Sequence, residues 1–138
     1  MEYYLFNESA LNGFSKELSS LRQKSNKPQL IVDIKKINVL PLSTILDVYL
    51  PKDQIIDFMS IDVEGLDYEV IKSNNWLKYR PKIILIEMIH SNLDEISNSL
   101  IGSFMLDEGY VLFAKCFRTI FFRRCDYYIN RIHADHSA

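Results

Sequence analysis

Two short apolar runs, each closed by acidic residues, occupy the middle of the chain. Residues 55–63 read IIDFMSIDV and residues 82–88 read KIILIEM. Nearly continuous apolar runs of this length predict strands that are covered on both faces, as in parallel sheets. Between them, residues 65–77 place apolar side chains at helical spacing, with Asp67 and Glu69 near the end that favours negative charge. The pattern therefore predicts a strand–helix–strand unit.

The flanking segments extend this alternation of strands and helices. The predicted elements are a strand over residues 29–40, a short helix over 41–51, a helix over 93–109 that stops at Gly109, and strands over 110–116, 119–124 and 127–130. Residues 1–28 are polar and predict a loop with a short helix, and residues 131–138 predict a frayed tail. We therefore expect a single domain over residues 1–138 with an α/β core over residues 29–130.

The order of these elements predicts an α/β fold. Parallel strands joined by right-handed helical crossovers explain the strand–helix–strand part of the pattern. The last strands follow one another too quickly for a helix to fit between them. We therefore expect the sheet to carry an antiparallel C-terminal edge.

Composition narrows the class of protein without naming it. The chain has 138 residues, of which 48% are hydrophobic and 25% charged, as is ordinary for a soluble domain. A net charge of -2 gives no reason to expect nucleic acid or a membrane as a partner. Cys116 and Cys125 lie in or beside apolar, aromatic runs and predict free, buried thiols in a reducing compartment. Without a recognisable signal peptide or membrane span, the expected location is the cytoplasm.

Ionisable side chains follow the ends of the two central strands. Asp62 and Glu64 close the first strand, and Glu87 and His90 close the second. Ligands of open parallel sheets bind beyond the carboxyl ends of the strands, so these four side chains are expected to converge on one cleft. Two alternatives stay open: Asp62 and Glu64 could instead cap the following helix, and His90 could be an ordinary surface histidine.

Several segments in sequence order resemble one enzyme family. Residues 56–77 read IDFMSIDVEGLDYEVIKSNNWL, residues 80–90 read RPKIILIEMIH, and residues 37–51 read INVLPLSTILDVYLP. Together with GYVLFAKCFRTIFF, they resemble the FkbM family of S-adenosylmethionine-dependent methyltransferases. The resemblance spans about residues 37–123.

The resemblance implies a class I methyltransferase with a Rossmann-like sheet, in which Asp62 ends the fourth strand and Glu87 the fifth. The implied reaction transfers a methyl group from S-adenosylmethionine to a hydroxyl of a sugar or another small metabolite. Asp62 or Glu64 would position or deprotonate the acceptor hydroxyl, with His90 as the rival base and Glu87 orienting the acceptor. Asp62 would also lie near the cofactor. Carboxylates and imidazole can bind a metal, but the sequence requires none.

One departure from the family pattern concerns the cofactor. The family holds it with a glycine-rich turn and an acid after the first strands, whereas this chain has four glycines, Gly13, Gly65, Gly102 and Gly109, with no two in one turn. We therefore expect only the C-terminal half of the fold, without its first strands, and no activity or cofactor binding by this chain alone. The alternative is a non-catalytic remnant or interaction module. Missing strands would expose a sheet edge, so self-association is expected.

Overall fold

The computed structural model describes residues 1–24, 29–88 and 92–126. The elements in chain order are β1 (Glu2–Phe6), a 3-10 turn (Ser9–Leu11), α1 (Lys16–Gln23), β2 (Ile31–Lys36), α2 (Leu42–Tyr49), β3 (Phe58–Ile61), α3 (Asp67–Lys72), β4 (Ile83–Glu87), α4 (Leu93–Ser97), α5 (Leu100–Asp107), β5 (Tyr110–Cys116) and β6 (Thr119–Arg124). The predicted strand over residues 127–130 and the predicted tail over residues 131–138 lie outside the described residues.

Among the described residues, the main sheet has four strands in the order β3-β4-β6-β5. β3 and β4 run parallel, with Ile61 opposite Ile86, whereas β6 is antiparallel to both of its neighbours. The predicted mixed α/β sheet is confirmed in this form. The predicted antiparallel pairing in the C-terminal part of the sheet is also found, because β6 folds back between β4 and β5. The edge is therefore β5, which runs in the same direction as β3 and β4.

The hydrophobic core lies on one face of this sheet. Its fully buried side chains include Ile84 and Ile86 of β4, which alternate with half-buried residues that point to the other face. Two buried side-chain donors in the core form hydrogen bonds with backbone carbonyl groups. The Trp76 indole donates to the Ile71 carbonyl at 2.9 Å, and the Tyr110 hydroxyl donates to the Pro81 carbonyl at 2.7 Å. These bonds satisfy donors that would be costly to bury alone.

The N-terminal segment contains the predicted short helix, α1, but part of the predicted loop is a strand. Residues Glu2–Phe6 form β1, which pairs antiparallel with β2 in a separate two-stranded sheet. The strand predicted over residues 29–40 is therefore real but shorter, and it lies outside the main sheet. The aromatic run EYYLF favours a strand by itself. Its distant partner β2 supplies the ladder hydrogen bonds on one side, and Tyr4 forms a further bridge with Gly13 on the other.

The single helix predicted over residues 93–109 is instead two helices. A cap explains the break, because the Ser99 hydroxyl accepts the backbone N–H of Gly102 at 3.0 Å and so begins α5. Gly109 follows the helix with φ of 81°, which confirms it as the stop.

The two cysteines are not in the buried environment that the sequence predicted. Cys116 and Cys125 are free, but both are exposed rather than buried. None of the helices within the described ranges is long and apolar enough to cross a membrane.

Candidate active site

Three acids converge where the parallel strands end. Asp62 and Glu64 follow β3, and Glu87 is the last residue of β4. Each offers one carboxylate oxygen, and these three atoms all lie within 4.8 Å of one another. The predicted convergence is confirmed for these three residues because β3 and β4 are parallel neighbours in register. His90, the fourth predicted member, lies outside the described residues.

The turn after β3 has an unusual backbone. β3 ends at Ile61, and both Glu64 and Gly65 have positive φ, at 52° and 96°. The strand does not continue to Glu64; instead, a left-handed turn brings the Glu64 carboxylate close to that of Asp62. A left-handed conformation costs a residue with a Cβ about 1 kcal/mol or more, so other contacts must hold Glu64 in place.

Asp67 stabilises this turn through hydrogen bonds to its backbone. Its carboxylate accepts the backbone N–H of Val63 at 3.3 Å and that of Gly65 at 3.2 Å. The side chain is buried, and burial raises the pKa of Asp67, although the two N–H donors oppose that shift. Asp67, rather than Asp62 or Glu64, thus provides the local hydrogen bonds of the turn. Asp62 stays exposed above it.

Helix α1 packs on the same turn and supplies a cation. The Arg22 guanidinium donates to the Glu64 carboxylate at 2.5 Å and to the Leu11 carbonyl at 2.6 Å. A Cβ added at Gly65 would lie 2.7 Å from a Leu18 methyl carbon, so the glycine permits this close packing. The N-terminal segment is therefore part of the wall of the site.

A pocket of about 270 Å³ opens between α1 and the strand ends. Its walls include Arg22, Glu64, Tyr68, Glu87 and Met88. Burial raises the pKa of Glu87, and the negative charges of Asp62 and Glu64 raise it further. Arg118, whose guanidinium lies 3.9 Å from the Glu87 carboxylate, acts in the opposite direction. The pocket therefore combines a positioned ion pair with a carboxylate that takes up protons more readily than usual.

The raised pKa of Glu87 predicts how stability depends on pH. A carboxyl group whose pKa is higher in the folded state favours folding at low pH, and this contribution is lost as the pH rises through the folded pKa. Glu87→Gln removes the repulsion, so we expect it to melt at a higher temperature than the wild type at pH 7. The difference should close near the ordinary glutamate pKa of 4.5. Thermal melts at several pH values, with exposed Glu8→Gln as control, check this.

An equal offset of Glu87→Gln from the wild type at every pH would contradict the electrostatic explanation. Such an offset would reflect a change in packing, which does not depend on protonation. Glu8 precedes the 3-10 turn near the N-terminus and does not line the pocket, so its substitution controls for loss of a negative charge as such.

The three carboxylates also have the spacing at which acidic side chains share one divalent cation. Oxygen ligands of this kind suit Mg²⁺, Mn²⁺ or Ca²⁺. The sequence required no metal, and the same oxygens are equally able to accept hydrogen bonds from hydroxyl groups of a ligand.

Comparison with known families places this site in an enzyme class. The model of the methyltransferase FkbM domain matches residues 1–127. The chain belongs to the FkbM methyltransferase family. The match begins well before residue 37, where the recognisable motifs start, so it includes the N-terminal segment that carries Arg22. No curated protein and no solved structure gives a significant match.

Membership of the FkbM family indicates methyltransferase activity and, for the family in general, dependence on S-adenosylmethionine. Sequence reasoning found the three acids but missed Arg22 and the role of Asp67 in the turn. Arg22 lies 42 residues from its partner Glu64, and no local pattern marks that distance. The spacing of Asp67 after the Gly65 turn offered a signal, since aspartate often accepts N–H groups of an adjacent turn.

Proposed function

We propose that this chain handles the acceptor in an S-adenosylmethionine-dependent O-methylation, with a hydroxyl of a sugar or a small metabolite as the nucleophile. The observation that supports this most directly is the convergence of Asp62, Glu64 and Glu87 at the ends of two parallel strands. A hydroxyl is a weak nucleophile until its proton is held or removed, and carboxylates at hydrogen-bond distance do this.

The surroundings of each acid support different roles. Asp62 is exposed and open to a ligand, so we assign it the positioning and deprotonation of the acceptor hydroxyl. Glu64 forms an ion pair with Arg22, which fixes the position of its carboxylate near that of Asp62. Glu87 lies in the pocket wall and orients the acceptor through a second hydroxyl. His90 stays a predicted rival base because it lies outside the described residues.

The described residues do not form a cradle that fits the cofactor. Gly65 is the only glycine of the site turn, and α1 packs against the position where its Cβ would be. The backbone N–H groups of Val63 and Gly65 are already taken by Asp67. A nucleotide cradle needs free N–H groups and close backbone approach. The proposal is therefore confined to the acceptor and assigns the cofactor no step on these residues.

Acceptor binding provides the test. Amide signals of the purified chain are followed by NMR during titration with a panel of monosaccharides and small hydroxylated metabolites. We expect at least one compound to shift the signals of Val63, Gly65 and Glu87. Asp62→Asn and Glu87→Gln should each weaken that binding about tenfold, the usual effect of losing a charged hydrogen bond.

The matched control is Asp57→Asn. Asp57 precedes the other end of β3 and pairs with Lys82, so its replacement removes a similar charge without touching the pocket. A panel in which no compound shifts the site signals would overturn the proposal. Equal weakening by Asp57→Asn would do the same, because it would reduce the effect to net charge. Calorimetry with S-adenosylmethionine should show no binding, and measurable binding would overturn the restriction to the acceptor.

A further inference from the structure

The turn between β5 and β6 lies beside the acidic site. It consists of two residues, Phe117 and Arg118, which we call the hairpin tip. Thr119, the first residue of β6, is paired with Glu87 at the end of β4. The Arg118 carbonyl accepts the backbone N–H of Met88 at 2.8 Å. The hairpin tip is therefore anchored at the edge of the sheet where the three acids converge.

Phe117 has a backbone conformation that favours glycine. Its φ is 54°, in the left-handed region, and two-residue hairpin turns usually place glycine, asparagine or aspartate at such a position. A phenylalanine side chain makes this conformation less favourable than it would be for glycine, so the turn itself does not require the ring. Strained residues of this kind cluster at sites that contact ligands.

The Phe117 ring is held beside the site without being part of the core. The residue is 82% exposed, and the Arg118 guanidinium lies over its ring, 5.6 Å from the ring centre. The same guanidinium is 3.9 Å from the Glu87 carboxylate, so one side chain connects the ring to the pocket wall. The Lys115 ammonium group donates to the Phe117 carbonyl at 2.6 Å, which fixes the turn further.

We propose that Phe117 is a stacking platform for the acceptor, and that the acceptor is a sugar in its closed pyranose form. This inference rests on the proposed function and narrows its class of acceptor. The faces of a pyranose present C–H groups with a slight positive charge, whereas the face of an aromatic ring is negative. The two therefore stack, and hydroxyl groups at the rim of the same sugar extend toward the carboxylates.

The two parts of the site recognise different features of such a ligand. Asp62 and Glu87 accept hydrogen bonds from hydroxyl groups, which closed and open-chain sugars both offer. Only the closed ring offers an apolar face to Phe117. The anchored turn fixes the backbone of Phe117 before the sugar binds, so little conformational freedom is lost on binding. Preference for the closed form should therefore depend on Phe117.

Matched pairs of compounds test the proposal. NMR titrations of the purified chain compare the methyl pyranosides of glucose, galactose and mannose with sorbitol, galactitol and mannitol, the open-chain polyols of the same three skeletons. We expect at least one pyranoside to bind more tightly than its open-chain counterpart. Phe117→Ala should weaken the binding of that pyranoside about fivefold and leave the binding of the polyol unchanged. Phe117→Trp keeps an aromatic face and should retain the preference.

Phe113→Ala is the matched control for the loss of an exposed ring. Phe113 is also an exposed phenylalanine of this hairpin, but it lies within β5, away from the tip. Its replacement should leave the preference for the pyranoside unchanged. Equal weakening by Phe113→Ala and Phe117→Ala would overturn the proposal, as would equal binding of every pyranoside and its polyol.

Thermal melts separate a role in binding from a role in packing. Phe117→Gly removes the ring and suits the left-handed conformation, so it should lose the preference but melt at or above the wild-type temperature. A lower melting temperature would overturn the proposal, because it would assign the ring to packing.

The titrations also distinguish this inference from the function on which it rests. Pyranoside binding that is weakened by Asp62→Asn but not by Phe117→Ala would overturn the platform and support the proposed function. A preference that is lost in Phe117→Ala but unaffected by Asp62→Asn would support the platform and contradict the role assigned to the acid.

Discussion

Gly102→Ala is expected to destabilise the fold by about 3 kcal/mol or more, the upper range for overpacking in a core. Gly102 is buried in α5 where that helix passes the end of α4. A Cβ at this position would lie 1.9 Å from the carbonyl oxygen of Ile96 and 3.0 Å from that of Ser97. These are backbone atoms, so no rotation of a side chain can relieve the overlap. The two helices would have to separate, and Ile96 would lose its fully buried position in the core.

Denaturant unfolding followed by circular dichroism measures this effect. Ser103→Ala is the matched control, since Ser103 is the next residue of the same helix and is exposed. Alanine is the better helix former, so this control should be as stable as the wild type or slightly more stable. A Gly102→Ala variant within about 0.5 kcal/mol of the wild type, the usual scatter of surface substitutions, would show that α4 and α5 do not cross as described.

Asp67→Ala is expected to remove about 1–3 kcal/mol of stability and to abolish acceptor binding, since it leaves two partly buried N–H donors without their partner and an unsatisfied donor costs about 1–3 kcal/mol when it is buried. Asp67 is 8% exposed, and its carboxylate accepts the N–H groups of Val63 and Gly65. Without it, both donors lose their partner, and the left-handed conformation of Glu64 loses part of its support. Asp67→Asn keeps one acceptor oxygen and should fall between the wild type and the alanine variant.

A control must separate this role from the general effect of an acid at a helix start. Asp94 also lies in the first turn of a helix, α4, but it is exposed. Asp94→Ala should therefore cost only the helix-dipole contribution, about 0.3–1 kcal/mol. Thermal melts rank the four proteins, and the monosaccharide titration reports the site. Equal losses for Asp67→Ala and Asp94→Ala would contradict the assignment of Asp67 as the residue that holds the turn.

The parallel pair β3 and β4 was predictable because its cause is local. Apolar runs such as residues 82–88 favour parallel strands, and a helical period between two such runs requires a crossover. The predicted cover on both faces was wrong for β3, where Phe58 is 66% exposed. The acids Asp62 and Glu87 follow from the same argument, since their places at the strand ends are fixed by chain order. Family membership was also readable from the sequence, through motifs that begin near residue 37.

The N-terminal segment was not predictable in the same way. β1 needs β2, whose residues lie about thirty positions later, and neither strand alone shows which of its neighbours it will choose. The split between α4 and α5 arises because the Ser99 side chain caps a new helix, α5, and α4 does not continue through this residue. Both outcomes depend on hydrogen bonds whose partners cannot be identified from the periodic pattern of apolar residues.

By itself, the sequence of this protein determined the α/β class, the two parallel strands, the three acids at their ends and the family, because burial and chain order act through local patterns. Only the tertiary structure decided that Arg22 binds Glu64, that Asp67 holds the turn, and that β1 pairs with β2 outside the main sheet. Those features depend on which distant segments meet. The free energy of such a contact depends on two residues together, whereas a sequence pattern describes residues one at a time.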